Sequence, residues 1–151
     1  MLRQQINDAL KDAMRRKDET AVSTLRLILA AVKDRDIAAR SKGNTEGISE
    51  DELLNLLQTM VKQRRESIAL YEQGGRLDLA EQEQAEIVVI QRFLPQQLDE
   101  EETRAAVAQV IDELGATGIK DMGRIMATLR DRYAGQMDFA RASGIVKAQL
   151  V

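Results

Sequence analysis

The chain has no cysteine, no histidine and no tryptophan. Without cysteine there are no disulfides, thiol nucleophiles or thiolate metal sites. Without histidine there is no Ser-His-Asp or Cys-His triad, no imidazole base and no His-ligated metal. Carboxylate and lysine chemistry survive this exclusion. Aromatic residues are scarce, Tyr71, Phe93, Tyr133 and Phe139 being all of them. An RNA partner is therefore expected to be held by shape and phosphates rather than by base stacking. The longest apolar run, Leu27–Val32, is six residues, against the roughly 20 that a membrane span needs. The residues that follow Met1 also lack the apolar core of a secretory signal. The expected compartment is the cytoplasm, with no membrane partner, and the missing cysteines agree with reducing conditions.

What is present fits one domain's worth of sequence, 151 residues with 44% hydrophobic and 31% charged side chains. Net charge is −3 but unevenly spread. Residues 1–42 carry ten basic and six acidic side chains, and residues 118–151 carry six and three. The stretch between them is strongly acidic, with six against sixteen. Basic ends on an acidic chain can still present a phosphate-binding face, because binding follows the local field. Ordinary variation among solvated helix faces accounts for the same numbers.

Helical periodicity dominates. Leu2, Ile6, Ala9, Leu10 and Ala13 mark one stripe, and Val22, Leu25, Leu29 and Val32 a second. Leu54, Leu57, Val61, Ile68 and Tyr71 form a third. In the last third, Val107, Val110, Ile111 and Leu114 are followed by Met122, Ile125, Met126, Leu129 and Tyr133, then by Ala142, Ile145, Val146 and Leu150. No segment sustains the alternation of a strand. Ser49 with Glu52 and Asp99 with Glu102 read as N-terminal capping pairs. Gly74-Gly75 reads as a helix end, and 41–47 as a polar, glycine-bearing loop. The lone Pro95 turns Leu94 away from helix. The expectation is an all-α protein of about seven helices: roughly 2–16, 18–40, 50–73 and 77–93, then 100–114, 120–133 and 138–150. A bundle of about four helices over 1–94 precedes a small three-helix domain over 95–151.

Three stretches invite chemistry. Gly118 to Ile125 has the glycine spacing of a P-loop, but Arg124 stands where the lysine belongs and Ile125 where the Mg²⁺-binding hydroxyl belongs. No strand precedes it. A turn into a helix, whose N–H groups join Lys120 and Arg124 around a phosphate, is the better reading. Lys62-Gln63-Arg64-Arg65 is either a solvated face, with the Arg64 stem laid over apolar surface, or a phosphate contact. Glu81, Glu83 and Glu86 read as exposed glutamates, since a di-iron bundle needs Glu-x-x-His elements and a catalytic acid needs an apolar pocket. No catalytic, cofactor or metal residue emerges.

The order of motifs nevertheless resembles the YqeY family. Lys62-Gln63-Arg64-Arg65-Glu66-Ser67-Ile68 is followed by Tyr71 to Arg76, Asp78-Leu79-Ala80-Glu81 and Phe93-Leu94-Pro95-Gln96-Gln97-Leu98. Ile119 to Met126 and Gly135 to Asp138 continue the likeness, as do Met14 to Asp18 and Leu25-Arg26 upstream. That family is similar to the C-terminal tail of the B subunit of the glutamine-dependent amidotransferase acting on Asp-tRNA(Asn) and Glu-tRNA(Gln). The resemblance implies a larger helical unit, a three-helix GatB/YqeY tail-like domain and contact with the body of a tRNA. The phosphorylating and ammonia-transferring domains of that enzyme lie elsewhere. A carbon-nitrogen ligase label would thus be inherited from the larger enzyme.

Three functions follow as expectations. The first is a non-catalytic tRNA-binding accessory module, working beside amidotransferase or aminoacyl-tRNA machinery. The second is a helical protein-interaction module. The third is a carbon-nitrogen ligase component, with glutamine as amido donor, active only with partner subunits. For the first, the expected nucleic-acid-binding residues are Lys120, Gly123, Arg124, Arg130, Arg132, Arg141 and Lys147. Lys120 and Arg124, four apart, are expected on one side of the helix over 120–133, with Gly123 leaving the backbone open.

Overall fold

The computed structural model describes residues 1–151 and contains helices as its only regular structure. The helices are α1 (Leu2–Arg16), α2 (Glu19–Arg40), α3 (Glu50–Gln73), α4 (Leu77–Gln91), α5 (Glu100–Leu114), α6 (Met122–Arg132) and α7 (Phe139–Leu150). A single 3₁₀ turn, Ile119–Asp121, leads into α6. The chain divides into two compact units, Met1–Leu94 and Pro95–Val151. No helix is long and apolar enough to cross a membrane.

Local chemistry sets the helix ends. At α3 the Ser49 hydroxyl accepts the Glu52 N–H at 3.1 Å while the Glu52 carboxylate turns back on the Ser49 N–H. Asp99 and Glu102 repeat the arrangement at α5. Each pair satisfies N–H groups that a helix start leaves without a partner. Asp18 accepts the Ala21 N–H and so caps α2 rather than joining it. The end of α1 is unusual: Lys17 takes the left-handed conformation, φ 57°, that glycine normally supplies, and its N–H donates to the carbonyls of Ala13 and Met14.

The first unit packs α3 against α4, α1 against α2, and α2 against both α3 and α4. Ile6, Leu25, Ile28, Leu53, Leu57, Ile87 and Ile90 are almost wholly buried. Each such side chain contributes about 1.5–3 kcal/mol of transfer free energy. The second unit packs α5, α6 and α7 in all pairwise combinations. Its own core is Val107, Val110, Ile125, Leu129, Met137, Ala142 and Val146.

Two ion clusters stiffen the first unit. Arg3 on α1 grips Asp36 on α2 through two hydrogen bonds of 2.9 and 2.7 Å, and also donates to the Ile48 carbonyl. Asp36 in turn accepts the Ile48 N–H at 2.9 Å, which closes the 41–49 connection onto the helices. Gly47 is required there: its φ is +95°, and a Cβ would stand 2.8 Å from the Arg3 guanidinium. The second cluster corrects the sequence reading of the glutamates. Glu83 and Glu86 are half-buried, not solvated, and lie 4.0 and 3.4 Å from the Arg64 Nε on α3. Glu83 falls within the stripe Ala80, Ile87 and Ile90 that α4 buries, which draws its carboxylate inward with them.

Candidate nucleic-acid interface

The seven expected residues all lie in the second unit, on the 3₁₀ turn, α6 and α7. Gly115, left-handed at φ 60°, ends α5 and turns the chain back toward the 3₁₀ turn. Asp138 accepts the N–H groups of Ala140 and Arg141 and starts α7.

Lys120 sits on the 3₁₀ turn rather than on α6, so the four-residue helical spacing expected between Lys120 and Arg124 does not apply. The physical reason is Asp121. Its carboxylate accepts the Thr117 N–H at 3.0 Å and meets the Arg124 guanidinium at 3.2 Å, tightening the chain ahead of the helix. The Thr117 N–H, aided by the Arg124 charge, holds the Asp121 carboxyl below its ordinary range. The chain's own carboxylate thereby stands where the sequence reading placed a phosphate. A Cβ on Gly123 would meet open space, so the backbone there is accessible.

The cations divide into two groups. Arg124 is drawn back onto Asp121 and the Leu114 carbonyl, the latter at 3.2 Å. Arg132 pairs with Glu113 of α5 and holds that carboxyl low. Arg130 lies over the Phe139 ring, 5.9 Å from its centre, rather than pairing with the adjacent Asp131. Lys120, Arg141 and Lys147 are exposed and make no ion pair. Arg141 and Lys147 are six residues apart, about 120° around α7. The cations therefore share one small unit without forming a single row. Nine acidic residues against seven basic ones give the unit a slightly negative total, with Asp99 to Glu102 gathered at the start of α5. The unit therefore does not present a uniformly basic surface.

Arg64, with Glu83 and Glu86, is the charged cluster missed in the sequence. The Arg64 Nη1 donates to the Met60 carbonyl at 3.1 Å, while its buried Nε has no hydrogen-bond partner. Burial, with Glu86 alongside, pushes the Glu83 carboxyl up. The signal lay in the sequence as a glutamate at a core position of α4.

Comparison with known proteins adds the context. The chain is 30% identical over 148 residues to the mitochondrial altered inheritance of mitochondria protein 41 of Lachancea thermotolerans, covering 94% of this chain and 75% of that protein. It is 38% identical over 85 residues to the protein of the same name in Eremothecium gossypii, there covering 56% of this chain and 44% of the relative. An uncharacterized protein of Schizosaccharomyces pombe is 29% identical over 91 residues, which is 60% of this chain and 70% of that protein. The Yqey-like protein family matches residues 3–150. Since that match takes in all seven helices of both units, the chain belongs to the YqeY-like protein family.

Proposed function

We propose that the chain is a non-catalytic tRNA-binding accessory module, related to the tail of the glutamine-dependent tRNA amidotransferase. The observation that carries the reading is the set of exposed cations on the second unit, Arg141 and Lys147, with Lys120, which makes no direct ion pair and acts on Asp121 only at a distance. Arg130 adds a fourth positive charge above an aromatic ring. Arg124 and Arg132 contribute less, because binding a phosphate would first require them to leave Asp121 and Glu113. With few aromatic residues, the contact is to backbone phosphates and duplex shape. The cytosolic placement expected from the sequence stands beside the word mitochondrial in the relatives' names.

Titrating labelled tRNA at several salt concentrations tests the reading. Phosphate contacts give a log K that falls linearly with log salt. The variant Lys120→Ala/Arg141→Ala/Lys147→Ala is expected to flatten that slope by about three contacts, whereas Arg124→Ala changes it less. Binding no tighter than that of an equally acidic helical protein, or a triple variant that binds like the parent, overturns the proposal.

A further inference from the structure

α2 carries apolar residues on both of its sides. It buries Ala21, Leu25, Ile28 and Val32 in the core of the first unit. On the opposite side Leu27 and Ile37 are 48% and 52% exposed, and Ala30 lies exposed between them. Ser23, Leu27, Ala30, Asp34 and Ile37 alternate in steps of four and three, the seam spacing of a helix packed against another helix. A helix whose outer side faces only water carries polar residues there.

The border of this seam carries only cations, while Asp34, exposed within the seam, is its one acid. Arg26, Lys33 and Arg40 follow one another at seven-residue intervals, all exposed. Arg26 and Lys33 make no ion pair, and Arg40 acts only at a distance on Asp36. At its N-terminal end the seam opens into a shallow cleft of about 270 Å³, lined by Lys17, Glu19, Val22, Ser23 and Arg26. The cleft extends the apolar contact through Val22 and adds one cation, Lys17, and one acid, Glu19.

We propose that this side of α2 docks an acidic amphipathic helix of another protein. Its aliphatic side chains would cover Leu27, Ala30 and Ile37, and its carboxylates would face Arg26, Lys33 and Arg40. Charge selects the occupant. A second copy laid antiparallel about Ala30 would set Arg26 of each chain between Asp34 and Lys33 of the other, attraction and repulsion together, where an acidic helix meets all three border cations favourably. Laid parallel, the same cations would face Ala31 and Ala38 and gain nothing. An RNA backbone would use the cations but leave the aliphatic seam uncovered. The surface belongs to the first unit and stands independently of the tRNA reading.

The test uses the full chain and two designed helical peptides of about three heptads, one with leucine on its seam and glutamate on its borders, the other with lysine replacing the glutamate. The glutamate peptide is expected to bind at least tenfold more tightly than its lysine twin. Arg26→Glu/Lys33→Glu should reverse that preference. Leu27→Gln/Ile37→Gln should abolish binding while thermal unfolding stays at the parental temperature, since both positions are exposed. Because the chain has no cysteine, Ala30→Cys also accepts a single thiol-linked photoprobe. Crosslinking in extract of the native host is expected to trap an acidic amphipathic segment. No binding at millimolar peptide, no charge preference, or crosslinks to RNA or a basic segment would overturn the proposal. So would a concentration-dependent dimer lost in Leu27→Gln/Ile37→Gln, which would assign the surface to a second copy.

Discussion

The two ion clusters of the first unit are built from the same chemical groups and behave oppositely. Around Asp36 one carboxylate meets one guanidinium, and two hydrogen bonds from Arg3 and one from Ile48 saturate it. Its carboxyl is held down to about 2, the Arg3 hydrogen bond being the largest cause. Around Arg64 two carboxylates compete for one guanidinium at 3.4 and 4.0 Å. There Glu83 is pushed up, by burial first and by Glu86 second. Asp36 and Glu83 side chains are equally exposed, at 22%. The difference lies in how many anions share a cation and in how many hydrogen bonds they receive.

Removing the guanidinium from the crowded cluster is the harshest test of this contrast. Arg64→Met leaves two half-buried carboxylates facing each other, an expected loss of about 2–4 kcal/mol at pH 7 by urea unfolding. The loss should shrink as acid protonates them. A loss under about 1 kcal/mol would show that the cluster is solvated after all.

Next comes Asp36→Ala, which strips Arg3 and the Ile48 N–H of their acceptor. The expected cost is about 1–3 kcal/mol, moderated because Arg3 can regain water. Asp36 has a folded pKa below its unfolded value of 3.8. Its stabilisation is therefore fully present above that value and disappears as pH falls through about 2. Parent and variant measured by calorimetry should differ at pH 7 and converge in strong acid. A pH-independent difference would mean that the carboxylate charge is not the cause.

The smallest effect has the opposite sign. Glu83→Gln relieves a like-charge pair and is expected to stabilise the chain by about 0.2–0.5 kcal/mol at pH 7. Because the Glu83 pKa is raised on folding, its contribution is most favourable in acid and is lost as pH rises from the ordinary carboxylate range through the raised value. The variant's advantage should therefore appear only above that range. A destabilised variant at pH 7 would show that Arg64 needs both glutamates.

Much of the fold was legible from local rules. The stripes at Leu2, Ile6 and Ala13 and at Ile125, Met126 and Leu129 are buried as their spacing requires. Ser49 and Asp99 cap the helices that their sequence contexts announce. Boundaries failed where side chains compete with the helix for backbone groups. Asp121, bonded to the Thr117 N–H, leaves a 3₁₀ turn ahead of α6. The candidate interface was legible as composition and not as geometry. Six cations were countable in the sequence, but Glu113 and Asp121, which engage two of them, act through the turn and across the α5–α6 packing.

Sequence alone determined the helical class, the capping boxes, the excluded chemistries and the family, because period, cap chemistry and residue inventory are local or additive properties. Tertiary structure decided which charges are paired and which apolar stripe is left over. Glu83 faces Arg64 only because α3 and α4 pack together, and Asp36 holds Ile48 only because the 41–49 connection folds back on α1 and α2. Leu27 and Ile37 are surface residues only because the other side of α2 took the core. Helical periodicity marks both sides of such a helix as apolar, and only packing chooses between them.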